Sequence, residues 1–258
     1  MNPGFQDYEK KMEPARQRFA TNPALASILA PATDAELLEL FLLYFSSLGV
    51  RMTEPVEGWI REAAERCEAI GLADIGRSLR GHAAAESGHH LMMVADTRAL
   101  VERWNSRHDH HYDADRLLSR PPSPGARHYI QVHENVIRGQ TPYAQLALEY
   151  EIEMLPLRYG PPLVSQWVSR LGEEILGCLS FITEHIELDV GHTKFNSKQL
   201  EKLIERMPDS VPVWSPLDRR SLTPTASSWP TAFAWPKRTT SHRPPPLEKD
   251  EGTRMRDE

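Results

Sequence analysis

Between Asp34 and Met207 the sequence is punctuated by helix start and stop signals and contains no β-branched run of alternating apolar and polar residues, so a sheet has nothing to be built from. Thr33-Asp34-Ala35-Glu36 reads as a capping box opening an amphipathic segment that Gly49 closes. Pro55 suits a first helical turn and Gly71 ends that helix. A third helix is expected from about Ala73 to Trp104, a fourth from Ala126 to Arg138, and a fifth from Thr141-Pro142 to Leu155. Pro161-Pro162 opens a sixth, with a kink at Gly172, whose periodicity carries on to Thr193. Asn196 to Gln199 caps a last one ending near Met207. The expectation is an all-α bundle of about seven helices over residues 31–207, preceded by an N-terminal arm, residues 1–30.

From Ser210 onward proline recurs among Ser, Thr and Arg, ending in Pro244-Pro245-Pro246. Proline at that density removes helix donors, so residues 208–258 read as a disordered tail, with Trp214, Trp229 and Trp235 a candidate strip for docking a protein partner. A formal net charge of -6 lacks the clustered cations that a phosphate backbone demands, and excludes nucleic acid as a first expectation. The longest apolar stretch, Leu37 to Val50, is broken by Glu39 and Ser46-Ser47 and is shorter than the roughly 20 residues of a membrane span. A charged N-terminus without an apolar core and only two cysteines, Cys67 and Cys178, fit a reducing cytoplasm.

The chemistry is carried by two triplets, His82-x3-Glu86-x2-His89 and His185-x3-Asp189-x2-His192. On a helix, positions i, i+4 and i+7 fall within roughly 60° of one another, so each triplet is expected on one face. Cys178, Phe181 and Ile182 share the face of His185, which points that triplet into the core, where ionisable groups are costly unless paired or metal-bound. Glu153 adds a third helix, with Glu149 its substitute one turn earlier. The set Glu86, His89, Glu153, His185, Asp189 and His192 supplies three carboxylates and three imidazoles, a mixture suited to two iron ions with positions left for O2. Zinc needs fewer donors, and no thiolate stands near to favour it. His82 is an extra ligand or a group behind the ligands. His108-Asp109-His110-His111 reads as a solvated loop cluster, and Arg80, Arg98 and Arg158 as cations able to clamp a carboxylate or to face solvent.

Three segments resemble the heme-oxygenase-like di-iron oxidases, the iron-containing redox enzymes. LRGHAAAESGHHLMMVADTRAL, Leu79 to Leu100, is similar to their HxxxExxH helix with its trailing Asp, here Asp96. PYAQLALEYEIE, Pro142 to Glu153, resembles their fifth-helix segment and selects Glu153 over Glu149. FITEHIELDVGHT, Phe181 to Thr193, resembles their HxxxDxxH-Thr motif. The resemblance implies a heme-oxygenase-like bundle and a non-heme di-iron oxidase or oxygenase. Its substrate would be a small amino-acid-like or fatty-acid-like metabolite, oxidised by N-oxygenation or by C–H abstraction with C–C cleavage. It also implies a further glutamate from an earlier helix, for which Glu54, Glu57, Glu62 and Glu65 are the candidates. O2 and the metabolite are then the partners, and homodimerisation is left open. Two readings compete: a ferritin-like metal-binding bundle without oxygenase activity, and a metal-free thiaminase-like helical enzyme with Cys178 as nucleophile.

Overall fold

A computed structural model describes residues 2–208; the expected Pro-rich tail, apart from Pro208, lies outside the described residues. Among the described residues every regular element is helical. The segments are α1 (Pro3–Ala20), α2 (Pro23–Leu29), α3 (Ala35–Thr53), α4 (Val56–Ala69), α5 (Ala73–Ala85), α6 (His90–Asn105), α7 (Ala114–Leu118), α8 (Pro124–Arg138), α9 (Gln145–Leu171) and α10 (Ser180–Arg206). Short 3-10 turns, Pro142–Ala144 and Glu173–Cys178, lead into α9 and out of it.

The helix starts follow ordinary capping chemistry. The side chains of Asn2, Asn22, Asp34, Asp113 and Ser123 each accept from a backbone N–H in the first turn that follows, satisfying a donor with no partner inside its helix. The cap of α3 is Asp34, not Thr33, whose hydroxyl instead donates back to Ala30 O at 2.7 Å.

Tertiary packing moves several boundaries. Gly49 does not close α3; the helix continues to Thr53 because Gly49 faces Met93, whose Sδ leaves no room for a larger residue. The expected fifth and sixth helices are one: α9 runs unbroken through Pro156, Pro161 and Pro162 for 27 residues, about 40 Å. It is held against α10 closely enough that a Cβ on Gly160 would come within 2.6 Å of Ile186 Cγ1. Gly172, at φ 87°, ends α9 and does not kink it. On the other side of the break, α10 absorbs the expected last helix, because buried Asn196 is satisfied by a partner across the core and starts nothing.

The first thirty residues, expected as an arm, form α1 and α2 and join the bundle. Phe5, Tyr8, Met12 and Ala15 are buried in the main apolar core. Arg16 bridges Glu9 and Glu151 of α9, donating from Nη1 to Glu9 at 2.7 Å and from Nε and Nη2 to Glu151 at 2.9 and 2.7 Å, while the Tyr8 hydroxyl donates to Glu151 at 2.9 Å. The core divides into two clusters, one centred on α4, α5, α8 and the start of α9, the other on α3, α6 and the far half of α9. The ionisable residues of the two triplets lie on α5, at the α5–α6 junction and on α10, with Glu153 beside them on α9. No helix among the described residues is long and apolar enough to cross a membrane.

Candidate metal centre

The first triplet does not lie on one helix. α5 stops at Ala85, residues 86–89 form a turn with Gly88 at φ 83°, and α6 starts at His90. A left-handed residue is cheap only for glycine, so the Ser87-Gly88 step is where the chain can turn. Glu86, which caps α5, thus stays one turn beyond His82, while His89 is redirected as the residue preceding α6. This break gives the site two halves. Donor atoms of His82, Glu86, Glu153 and His192 lie within 4.8 Å of one another, and those of Glu86, His89 and His185 form a second such group. Glu86 belongs to both: Oε1 is 3.2 Å from His192 Nδ1 and Oε2 is 3.0 Å from His89 Nδ1.

In the first half, His82 Nε2 lies 3.1 Å from Glu153 Oε1, which places His82 among the donors. Asn196, buried one turn beyond His192, donates from Nδ2 to Glu153 Oε2 at 2.7 Å and leaves Oε1 to face the cluster. In the second half, His185 Nδ1 is 2.7 Å from the carbonyl of Phe181. A carbonyl can only accept, so Nδ1 carries the hydrogen and Nε2 presents its lone pair. Asp189 lies between the halves: it is 1% exposed, its Oδ1 is 3.3 Å from His192 Nδ1, and neither of its oxygens has a hydrogen-bond partner among the described residues. It stands outside both donor groups but lines the same pocket as Glu86, His89 and His185.

The electrostatics describe a crowded set of charges. Burial alone would raise the Glu86 carboxyl, but the imidazoles of His192 and His89 overcome it and hold the group well below the usual carboxylate range. The nearby carboxylates of Asp189 and Glu86 raise His192 to about 10. Burial pushes Glu153 up and His185 down. Glu149 is also buried in this pocket and is pushed up to about 8 by desolvation. It joins neither donor group; its Oε1 accepts from Gln145 Nε2, which also lies 2.8 Å from His133 Nδ1.

The donors fit a cation. Among the described residues, His82 Nε2, His89 Nδ1, Glu153 Oε1, both Asp189 oxygens and His192 Nδ1 are buried without a hydrogen-bond partner, although several lie near enough to pair. Buried polar atoms in folded proteins are almost always satisfied, and an unsatisfied charged one costs several kcal/mol. Six of them clustered around Glu86 and its neighbours is the pattern of ligands aimed at a metal.

Other expected groups fall away from this pocket. Glu54, Glu57, Glu62 and Glu65 pair with Arg51, Arg61, Arg138 and Arg80 at the surface, so none supplies the glutamate from an earlier helix. Arg80 is held by Glu68 and Arg98 by Asp115, Arg158 is exposed on α9, and none of the three lines the pocket. In the histidine-rich loop, His108 stacks on Trp104 with ring centres 3.8 Å apart and no metal-competent group forms. Cys178 belongs to the 3-10 turn before the break at Leu179, not to the helix of His185; burial pushes its thiol up, against the thiolate a nucleophile needs.

Two supporting residues carried no local signal. Asn196 reads in sequence as a helix cap. Asp96, noted above only as a trailing Asp, accepts from Ser180 N, Ser180 Oγ and Phe181 N at 2.8, 2.6 and 2.9 Å and so fixes the start of α10 from across the core.

No family model and no curated protein matches the chain. Among solved structures it is similar to a domain of unknown function with a heme oxygenase-like fold from Shewanella denitrificans OS217, at a TM-score of 0.66 and 17% identity, over 87% of this chain and 89% of that one. At that identity the likeness speaks for the fold alone: the chain has an all-α, heme-oxygenase-like fold.

Proposed function

We propose that the protein is a non-heme di-iron oxidase or oxygenase that uses O2 to oxidise a small amino-acid-like or fatty-acid-like metabolite. The observation that carries this reading is the convergence of six buried, unpartnered donor atoms from α5, the α5–α6 turn, α9 and α10. Four imidazoles and three carboxylates exceed what one zinc ion takes, and mixed nitrogen and oxygen donors suit iron. His82, Glu153 and His192 would hold one ion and His89 and His185 the other, with Glu86 shared and Asp189 beside both. Bound iron would supply the electrons that reduce O2 and leave coordination positions open to it.

The chain's own part follows from its geometry. The hydrogen bond from His185 to Phe181 O orients one imidazole, and that from Asn196 to Glu153 orients one carboxylate. Met93, Tyr129, Ile152 and Phe181 wall the pocket and exclude water from a reactive centre. Glu149, with Gln145 occupying Oε1, keeps Oε2 as the place for a proton at neutral pH.

The test is anaerobic loading with Fe(II), followed by elemental analysis and Mössbauer spectroscopy before and after exposure to O2. Two irons per chain and a coupled pair after O2 are expected. Iron that binds without consuming O2 points to a storage bundle, and a chain that takes up no iron ends the proposal.

A further inference from the structure

Beside the donor pocket lies a second cavity of about 680 Å³, counting its open mouth. The two share Pro156 and Phe181 as walls. Three helices run past both in the same order. On α3, Gly49, Met52 and Thr53 face the donor pocket, and Phe41 and Phe45 the second cavity. On α9, Glu149 and Glu153 give way to Leu163 and Trp167; on α10, His185 and Asp189 give way to Ile182. The two cavities therefore lie end to end along the same helices, the first lined by polar donors and the second apolar, with Pro156 and Phe181 between them.

Among the described residues, no charged side chain lines the second cavity and no lysine or arginine lines the donor pocket. A substrate with a fixed charge distant from its reacting end would meet no partner in the second cavity, and burying that charge would be costly. An alkyl chain meets none of these penalties. The indole of Trp167, whose buried N–H has no hydrogen-bond partner among the described residues, lies in the cavity wall and is a local reporter of its contents.

We propose that the second cavity is the seat of an uncharged alkyl portion of the substrate, whose reacting end lies at the donor cluster. This rests on the reading that the donor cluster is the reaction site, but its test needs no metal. Straight-chain primary alcohols from butanol to dodecanol are titrated into the purified full chain, with and without Fe(II), and binding is followed by tryptophan fluorescence and by calorimetry. Affinity should rise ~4-fold per added methylene until the cavity is full and then level off. Leu163→Trp and Ile28→Trp fill the cavity from α9 and α2; each should weaken decanol binding at least 10-fold while circular dichroism and the melting temperature show the chain folded. The fluorescence change, but not the calorimetric binding, should be lost in Trp167→Phe. Affinity independent of chain length, or unaffected in whichever filling variant folds, overturns the proposal. Failure of iron to bind would leave this result standing and strike only the reading of the metal centre.

Discussion

Removing the carboxylate of Asp96 should loosen the helix that carries three of the donors. Asp96 is 4% exposed and receives three hydrogen bonds, two of them from the first backbone N–H groups of α10. Those N–H groups have no partner inside the helix, and the positive end of the helix dipole points at the same carboxylate. Asp96→Ala leaves two backbone donors and one hydroxyl without their acceptor, each costing about 1–3 kcal/mol when buried; the two on half-buried Ser180 fall at the low end, so a loss of about 3–5 kcal/mol is expected. For a domain of this size that lowers the melting temperature by about 10 °C or more. Asp96→Asn keeps one acceptor but brings an NH2 against a donor, and should lose about 1–3 kcal/mol. Urea unfolding followed by circular dichroism gives both numbers, and iron stoichiometry on the same samples reports the register of His185, Asp189 and His192. If Asp96→Ala unfolds within 1 kcal/mol of the parent and binds the same iron, the anchoring of α10 through this carboxylate is refuted.

Glu86 is the shared donor, so Glu86→Ala should abolish binding of both irons, whereas His89→Ala should retain one; elemental analysis separates the two, and two irons in Glu86→Ala contradict the shared role. Asn196→Ala frees Glu153 Oε2, and iron affinity measured by chelator competition should fall about 10–100-fold. His133 is buried against Trp59, and desolvation depresses its pKa to about 3, so the unfolded chain takes up a proton near pH 6.5 that the folded chain refuses. The contribution of His133 is therefore intact above pH 6.5 and falls by about 1.4 kcal/mol per pH unit below it, about 2 kcal/mol by pH 5, until the folded pKa is reached. Buried Glu149, raised to about 8, gains stability over the same window, so the loss is read as a difference: from pH 7 to 5 the denaturant stability of His133→Gln should rise by about 2 kcal/mol relative to the parent.

Much of this was legible along the chain. Helical periodicity and capping residues fix the fold class, because those signals are local and no strand pattern competes with them. The triplet on α10 was legible for the same reason: its three residues share one uninterrupted helix whose apolar neighbours, Phe181 and Ile182, orient it inward. The triplet around Glu86 has the same spacing and folds differently, since one glycine at φ 83° turns the chain between Glu86 and His89. That turn, invisible to a periodicity argument, is what lets Glu86 belong to two donor groups at once.

Where local propensity and packing disagree, packing decides. Three prolines should end α9, yet the helix runs on because it is clamped along α10. Asn196 should start a helix, yet it lies inside one because a carboxylate across the core accepts its hydrogen bond. The placement of His82 among the donors, the surface pairing of Glu54, Glu57, Glu62 and Glu65, and the apolar cleft beside the site likewise rest on contacts between residues far apart in sequence. Single-chain order encodes which groups lie on one helix face; distances between helices are set by side-chain volumes meeting in the core, and only the assembled bundle states them.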